Sequence, residues 1–349
     1  MQKLKIAQVI DQLGVGGAER VCLNLVNLFA SMGYEVKLIV LDKKGPLFDL
    51  VHDQVKVVVL NKNKSKLKAY KKFTKEIDGY KIVHIHMRQT YRFAQKAFLI
   101  FGGKKPVILH DHYGKIAINQ RVPLFYRTIF KPDVYIGCTT LLTNWAVQKL
   151  KVKQENTYFI KNFVIQEPQN NFIKKNNTNG LVLVANLKPV KNHAFAIQLA
   201  HRLGKDLTIY CSKTGGDYYQ ELLSIISKLD YHDHVHFITG CINVQKELCQ
   251  YEAGILSSFS EGDALVLVEY LAQGLPVLTY NVGESVKIIE SEFPEMVQTD
   301  FDLNKWEDSF YKVQKVDRGL VQNIFHKYYP EERYLKQYLS VYNNIPNKE

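Results

Sequence analysis

The sequence predicts an α/β protein with two Rossmann-like, doubly wound domains. Short apolar runs alternate with helical patterns from residue 6 onward, as in parallel β-α-β units. The alternation restarts after a polar, loop-like segment at residues 166–179. A chain of 349 residues with 46% apolar content can bury two hydrophobic cores. We expect domains at residues 1–162 and 163–325, followed by a tail helix at 326–349.

Each half shows this alternation element by element. A first strand at residues 6–10 precedes a helix with Val21, Leu25 and Phe29 on one face, which ends at Gly33. Further strands are predicted in the first half at residues 36–41, 57–60, 82–86, 107–109 and 134–138. Strands in the second half are predicted at residues 181–185, 207–211, 235–238, 254–257 and 277–280. The last helix, about residues 331–342, carries a stripe of Tyr334, Tyr338 and Tyr342.

Positive charge is concentrated in the first half. Residues 1–160 hold 27 Lys+Arg against 11 Asp+Glu, whereas residues 161–349 hold 19 against 23. Seven lysines fall between Lys62 and Lys75, with Tyr70 and Phe73 among them. This run is either a solvated helix face or a surface for an anionic membrane or acceptor, where each cation contributes about 1 kcal/mol.

The sequence places the chain in the cytosol. No stretch is long and charge-free enough to span a bilayer. The N-terminal MQKLKIAQVIDQL lacks a small-residue cleavage site, so it predicts a strand rather than a signal peptide. The five cysteines are scattered without a C-x-x-C pair and are interpreted as reduced thiols. With the basic half, this predicts a cytoplasmic protein, peripheral on the cytoplasmic face of the membrane.

The segment SSFSEGDALVLVEYLAQGLPVL, residues 257–278, sets Glu261 and Glu269 eight positions apart around a helix start. A helix start carries unpaired N–H groups that bind anions, and a helical side chain leans back toward that end. Glu269 is therefore expected to reach a ligand bound at the helix start. A sugar diphosphate offers an anion for the N–H groups and hydroxyl groups for the carboxylate. The alternative is a capped helix with one satisfied buried acid.

This arrangement resembles the E-x7-E signature of the family 4 retaining glycosyltransferases. Members have the GT-B fold, in which two Rossmann-like domains face a donor cleft and the C-terminal helix crosses back to the first domain. The resemblance implies that Glu261 and the backbone at Asp263, Ala264 and Leu265 hold the transferred sugar, and that Glu269 bonds the nucleotide ribose. The family usually has an aromatic or apolar residue at the position of Asp263, so the sugar contacts are expected to differ.

A second segment, ANLKPVKNH at residues 185–193, resembles the family's G-R-L-x-x-x-K-N-H. The resemblance implies that Lys191 grips the donor diphosphate and stabilises its developing charge. The family Arg is replaced by Asn186, which donates hydrogen bonds but brings no charge, and Lys188 is a possible substitute. Gly240 matches a further family glycine that faces the donor.

The loop between the first strand and helix holds Gly16 and Gly17, where a dinucleotide fold seats phosphate. The last glycine of that fingerprint and the acidic residue at the end of the second strand are missing, which argues against a dehydrogenase. GGAERV resembles the family's first loop instead, which implies a close approach of the backbone to donor phosphate and acceptor. A plain tight turn is the alternative.

His110, Asp111 and His112 end a predicted strand of the first half. The family's P-x-x-x-T-x-H pattern, counted from Pro106, selects His112 as the residue that lines the reaction centre. Asn162 stands where the family has the asparagine of its I-P-N-G-V segment. We expect the imidazoles of His110 and His112 to point to opposite faces, and no third ligand is evident, so no metal is predicted here.

The remaining D-x-D triplet, Asp300 to Asp302, precedes a helical pattern, so Asp302 is interpreted as a helix N-cap rather than a manganese ligand. No metal or other cofactor is predicted. The resemblance implies a retaining hexosyltransferase that moves a sugar from a nucleotide diphosphate sugar to a lipid-linked or surface glycan such as a lipopolysaccharide or capsule precursor. A UDP-sugar is the favoured donor and a GDP-sugar is the alternative. A catalytically silent nucleotide-sugar-binding subunit is the alternative. Nucleic acid is not expected as a partner, because no recognised motif accompanies the lysine run.

Overall fold

The computed structural model describes residues 4–127, 130–168 and 180–345. The chain divides into two compact units. Unit 1 comprises residues 1–165 and 331–349, and unit 2 comprises residues 166–330. Of the predicted loop at 166–179, residues 169–179 lie outside the described residues. No helix in the described ranges is long and apolar enough to cross a membrane.

Unit 1 is built on a parallel sheet of seven strands. The strands are β1 (Lys5–Ile10), β2 (Glu35–Val40), β3 (Lys56–Val59), β4 (Ile82–His86), β5 (Ile108–Asp111), β6 (Val134–Gly137) and β7 (Thr157–Phe159). The helices that follow them are α1 (Gly17–Ser31), α2 (Lys66–Glu76), α3 (Arg88–Phe101) and α4 (Thr140–Gln148). The spatial order is β3-β2-β1-β4-β5-β6-β7. Strands β2 and β3 are added on one side of β1 and strands β4 to β7 on the other, so the switch point lies between β1 and β4. Ligands of doubly wound sheets bind outside the carboxyl ends of the strands at such a switch point.

Unit 2 repeats the plan with six parallel strands. The strands are β8 (Leu181–Val184), β9 (Leu207–Cys211), β10 (Val235–Thr239), β11 (Ala253–Leu256), β12 (Val277–Tyr280) and β13 (Val297–Gln298). The helices are α5 (His193–Leu203), α6 (Asp217–Lys228), α7 (Leu265–Ala272), α8 (Ser285–Glu292), α9 (Leu303–Val313) and α10 (Arg318–Tyr328). The order β10-β9-β8-β11-β12-β13 puts the switch point between β8 and β11. The two predicted parallel α/β domains are confirmed.

The two units end at other residues than the predicted domains. The first segment of unit 1 runs to Ile165 rather than to residue 162, because Asn24 Nδ2 donates to the Phe163 carbonyl at 2.9 Å and holds that stretch on the unit. Residues 326–330, predicted as part of the tail, belong to unit 2. The short strands β7 and β13 were not predicted, because two or three residues carry too little periodicity.

The C-terminal helix α11 (Glu331–Asn343) belongs to unit 1. Its tyrosine stripe supplies the contacts. The Tyr334 ring stacks on Phe163 with centroids 4.6 Å apart, and Tyr342 packs against Phe29 of α1 at 5.3 Å. All three stripe tyrosines are buried. Helix α11 therefore closes one face of the unit 1 core.

Candidate functional site

Two predicted residues meet at the switch point of unit 2. Lys191 follows β8 and Glu261 follows β11, and the Lys191 Nζ lies 2.6 Å from Glu261 Oε1. The two side chains are 24% and 11% exposed, so both are largely but not wholly desolvated. A partly buried pair of this kind presents a cation and an acid together at the strand ends where a ligand binds.

The backbone around this ion pair is fixed by its own sequence. Pro189 begins a 3-10 turn, and Asn192 takes a left-handed conformation at φ 52°, which asparagine tolerates better than most residues. The Ser257 hydroxyl, after β11, donates to the carbonyls of Lys191 at 3.2 Å and Asn192 at 2.9 Å. The loops after β8 and β11 are thereby tied together, which holds Lys191 beside Glu261.

Helix α7 begins next to the ion pair. Its N-cap is Ala264, whose methyl side chain cannot satisfy the first amides of the helix. The Leu267 amide donates to the Ala264 carbonyl at 3.0 Å, so the amides of Leu265 and Val266 before it are the donors offered to a ligand at the helix N-terminus. Glu269 lies one turn further on and is 6% exposed, so it is a buried acid within reach of that end. Gly283 comes close from the loop after β12, since a Cβ there would lie 3.1 Å from the Gly262 carbonyl oxygen.

The side chain of Asp263 has a structural role. Its Oδ1 accepts hydrogen bonds from the Ser285 amide at 3.0 Å and from the Ser285 hydroxyl at 2.6 Å. Tyr329 donates to the same hydroxyl at 3.0 Å. Asp263 is 7% exposed. The carboxylate that departs from the family pattern thus binds the start of α8, and its backbone is the part left for a ligand.

Asn186 and Gly240, both predicted to bind the donor, occupy loops at the carboxyl ends of unit 2 strands. The Asn186 Oδ1 accepts from the Ser212 amide at 3.0 Å, which ties the loop after β8 to the loop after β9. Gly240 directly follows β10, is exposed and has φ 78°. At that φ a side chain would be strained, so the position favours glycine.

Unit 1 gathers four histidines at its own switch point. His84 and His86 come from β4, and His110 and His112 from the end of β5. The rings of His110 and His112 are only 4.1 Å apart. The expectation that they point to opposite faces was wrong, because alternate residues of an extended strand share a face. His84, His86 and His110 are fully buried, and His112 is partly exposed.

A metal is one possible occupant of this cluster. One ring nitrogen from each of His84, His86 and His110 lies within 4.8 Å of the others. No third ligand beside His110 and His112 was evident from the sequence, and the two histidines of β4 were overlooked. The rings of His84 and His86, however, are stacked with an interplanar angle of 11°. Imidazole lone pairs lie in the ring plane, so two stacked rings do not converge on one ion. The cluster is better described as a hydrogen-bonded network.

Asp111 points to the opposite face of β5. Its carboxylate accepts from Arg88 Nε and from the Tyr135 hydroxyl, each at 2.7 Å, and it is 1% exposed. Arg88 is held between the rings of Tyr113 and Trp145, each 4.3 Å from its guanidinium carbon. Asp111 and His110 are both too buried for ligand contact, so His112 is the one member of the H-D-H triplet that is partly exposed.

His112 is kept neutral. Burial lowers its pKa to about 4, although the charge of Asp111 and a hydrogen bond with the Asn162 side chain raise it. The predicted residues Asn162 and His112 are therefore in contact. A neutral imidazole at pH 7 acts as one donor and one acceptor rather than as a cation.

The first loop of unit 1 carries an acid that the prediction overlooked. Gly16 caps α1 and Gly17 begins it, and a Cβ on Gly16 would lie 2.4 Å from the Glu19 Oε2. The Glu19 carboxylate thus lies at the amino end of α1, where it complements the helix dipole. Its charge disfavours a phosphate and favours a hydroxyl group at this loop.

The interpretation of Asp302 as a helix N-cap is confirmed. Asp302 is the N-cap of α9, and its Oδ1 accepts from the Asn304 amide at 2.8 Å. Asp300 forms an ion pair with Lys305 at 2.5 Å. Both carboxylates are engaged with the start of one helix.

Two family models match this chain. The model described as Glycosyltransferase Family 4 matches residues 15–167, and Glycosyl transferases group 1 matches residues 165–309. An uncharacterized glycosyltransferase of Haemophilus influenzae is 27% identical over 297 residues, which cover 81% of this chain and 82% of that protein.

Solved structures share the fold. Anabaena HepE, crystallised in complex with UDP and glucose, has a TM-score of 0.79 at 15% identity over 98% of this chain and 100% of that one. TarM of S. aureus, a variant in complex with fondaparinux, α-GlcNAc-glycerol and UDP, has a TM-score of 0.74 at 12% identity over 98% and 100%.

Proposed function

Because this chain belongs to the family 4 glycosyltransferases and has their GT-B fold, we propose that it is a retaining enzyme that uses a nucleotide diphosphate sugar. The observation that carries the proposal is the Lys191–Glu261 pair beside the start of α7. A cation, an acid and open helix amides are the groups that a sugar diphosphate needs, and they lie at the switch point of unit 2.

The roles follow from this chemistry. Lys191 stabilises the departing diphosphate, Glu269 orients the ribose, and Glu261 with the amides from Asp263 to Leu265 orients the sugar. The bond from the sugar C1 to the phosphate oxygen breaks while the acceptor oxygen bonds to C1 on the same face. The acceptor proton passes to the departing diphosphate, so no carboxylate nucleophile or metal is required. His112 lines the reaction centre as a neutral group.

UDP is the favoured nucleotide, since the HepE and TarM structures each contain UDP. The direct test is a transfer assay with UDP-glucose, UDP-galactose, UDP-GlcNAc and GDP-mannose on a panel of surface-glycan acceptors, with the product linkage read by NMR. Retention predicts the same anomer in donor and product. An inverted linkage would refute the retaining mechanism, and turnover with GDP-mannose alone would refute the UDP assignment.

The acceptor is proposed to be anionic, because unit 1 has a cationic groove of ≈ 280 Å³ between α2 and α3. Four cations, two amides and two aromatic rings line it, and among these described residues there is no acid: Lys62, Asn63, Lys66, Tyr70, Gln89, Arg92, Phe93 and Lys96. Lys62 is anchored by Asp11. The cations of such a groove suit the phosphate groups of a phosphorylated or lipid-diphosphate-linked glycan, and its aromatic rings suit the sugar rings.

Charge reversal tests this groove. Lys66→Glu and Arg92→Glu are expected to raise the KM for a phosphorylated acceptor about tenfold each and to leave the donor KM unchanged. Lys75→Glu, an exposed lysine at the far end of α2, is the matched control. An equal effect of all three variants would indicate long-range charge rather than a binding groove.

Membrane contact is also proposed for unit 1. Leu67 of α2 is 59% exposed, and Leu99, Ile100 and Phe101 at the end of α3 are 66%, 52% and 38% exposed. Leu67 stands between Lys66 and Lys68 of α2, and Lys104 follows Phe101 three positions later in the chain. Exposed apolar side chains combined with lysines suit anionic headgroups at the cytoplasmic face. Flotation with phosphatidylglycerol vesicles, but not with phosphatidylcholine vesicles, is the expected result, and salt is expected to reverse it.

A silent nucleotide-sugar-binding subunit is the second candidate. The observation that favours it is Asn186, which replaces the family Arg and whose Oδ1 is already engaged by the Ser212 amide. This candidate predicts UDP binding without sugar transfer to any acceptor and without hydrolysis of the donor.

A further inference from the structure

A chain of buried polar side chains connects α11 to His112 in unit 1. Gln8 of β1 is its centre, with its Nε2 at 3.0 Å from the Tyr342 hydroxyl and its Oε1 at 2.9 Å from His86 Nε2. His86 Nδ1 then lies 3.3 Å from His112 Nε2. The register that places Gln8 opposite His84, and His86 opposite His110, brings these side chains onto one face.

A second arm leaves the same tyrosine. The Tyr342 hydroxyl is 2.9 Å from His84 Nδ1, and His84 Nε2 is 3.2 Å from His110 Nδ1. Gln8, His84, His86 and His110 are fully buried, and Tyr342 is 1% exposed. Burial and the neighbouring histidines hold the pKa of His86 and of His110 well below the ordinary value, so these rings are neutral. Each ring therefore has one donor and one acceptor nitrogen.

The direction of one bond fixes the others. Since Gln8 Oε1 only accepts, His86 must carry its proton on Nε2. The Nδ1 of His86 is then an acceptor, and the bond to His112 requires the proton of His112 on Nε2. Which nitrogen of a histidine is protonated is set by the partner of the other nitrogen.

Tyr342 orients the Gln8 amide. A phenolic O–H is a stronger acid than a neutral imidazole N–H, so the favoured direction is donation from Tyr342 to His84 Nδ1. The phenolic oxygen is then left to accept, and the Gln8 Nε2 is the group that donates to it. In this direction the proton of His110 lies on Nε2, for which the described residues offer no partner. The reverse orientation of Gln8 would reverse every bond of the chain and move the His112 proton to Nδ1, where the Asn162 side chain would accept it.

We propose that Tyr342 and Gln8 are positioning residues that act through His86 to hold the single proton of His112 on Nε2, which leaves Nδ1 as a hydrogen-bond acceptor. The C-terminal helix thereby sets the hydrogen-bonding state of a side chain that the proposed function places at the reaction centre. This inference rests on that function only for its effect on turnover, since the proton position is measurable without a substrate.

NMR tests the proton position. In protein labelled with ¹⁵N-histidine, long-range ¹H–¹⁵N correlation spectra distinguish the two neutral forms, and the His112→Gln variant identifies the His112 signals. The wild type is expected to show His112 with Nε2 protonated and Nδ1 bare. An Nδ1-protonated His112, or an even mixture, would overturn the proposal whatever the enzyme's activity.

Two tyrosines one turn apart on α11 provide matched variants. Tyr342→Phe removes a hydroxyl that bonds to Gln8 and His84. Tyr338→Phe removes a buried hydroxyl for which the described residues offer no partner, although its ring also packs on His84 and His110. Tyr342→Phe is expected to produce a mixture of His112 proton positions, and Tyr338→Phe to leave the wild-type form.

Turnover provides the second readout. Gln8→Leu and Tyr342→Phe are expected to lower kcat roughly tenfold with the donor KM unchanged, the order of effect seen for groups that orient a functional histidine. If His112→Gln inactivates the enzyme while both variants keep wild-type kcat, the positioning role fails and the proposed function stands. If His112→Gln is fully active, the role of His112 in the proposed function fails.

Discussion

Lys191 and Glu261 form an ion pair at 2.6 Å, although they lie seventy positions apart in the chain. The negative charge of Glu261 offsets the positive charge of Lys191. A diphosphate that binds beside the pair is therefore close to a carboxylate as well as to the lysine. Removal of Lys191 would leave a carboxylate with 11% exposure facing the ligand's own charge. We therefore expect Lys191→Ala to lower kcat by about a hundredfold or more, as loss of a transition-state charge contact does.

The pair also predicts a partial rescue. Lys191→Ala combined with Glu261→Gln removes the unpaired carboxylate, so UDP affinity measured by calorimetry is expected to recover relative to Lys191→Ala alone. Turnover stays low, because the cation is still missing. Lys228→Ala, an exposed lysine at the end of α6 in the same unit, is the control and should keep wild-type turnover. Wild-type kcat in Lys191→Ala would remove this residue from the mechanism.

Glu269 is expected to control nucleotide binding. It is 6% exposed in α7, and a hydrogen bond between a carboxylate and a ribose hydroxyl contributes roughly 1.5–3 kcal/mol. Glu269→Ala should therefore weaken UDP binding ten- to a hundredfold in calorimetry, with no change on addition of EDTA. Glu290→Ala, at an exposed position of α8, serves as the control. A sensitivity of wild-type binding to EDTA would contradict a metal-free donor site.

Asp263 is expected to affect stability more than binding. Asp263→Ala leaves the buried Ser285 amide without its acceptor, which costs about 1–3 kcal/mol of unfolding free energy. Asp263→Asn keeps a side-chain oxygen for that amide and should lose less. Urea denaturation measures both values, and calorimetry below the transition should show unchanged UDP affinity. A selective loss of affinity at wild-type stability would instead assign the side chain to the ligand.

The sequence predicts most of the framework because each signal for it is local. The E-x7-E segment and the Lys191 segment each combine a strand end with a helix start, so their residues converge once the parallel sheet forms. The role of Asp263 was not predictable, since its partner Ser285 lies beyond the next strand. Gln8 and His86 meet only because β1 lies beside β4 in the sheet order. The repeated His-x-His at the ends of β4 and β5 was the available signal for the cluster.

The four histidines of unit 1 predict how its stability depends on pH. Burial lowers the pKa of His84 to about 3 and of His112 to about 4, from an ordinary 6.5, and it also lowers the pKa of His86 and His110. Below pH 6.5 the unfolded chain binds protons that the folded unit excludes. Stability is therefore full above about pH 6.5 and is lost as the pH falls toward 4, by up to about 1.4 kcal/mol per pH unit for each histidine.

The two tryptophans allow each unit to be followed by itself. Trp145 lies in unit 1 and Trp306 in unit 2, so Trp306→Phe leaves a single fluorescent reporter in unit 1, and Trp145→Phe leaves one in unit 2. In unit 2, burial lowers the pKa of His193 to about 4. A single buried histidine makes the stability of unit 2 depend less steeply on pH than the four histidines make that of unit 1. Urea midpoints at pH 7.5, 6.5, 5.5 and 4.5 should fall more steeply for the unit 1 reporter. If the urea midpoints of the two reporters fell equally with pH, the four histidines of unit 1 would be binding protons in the folded state.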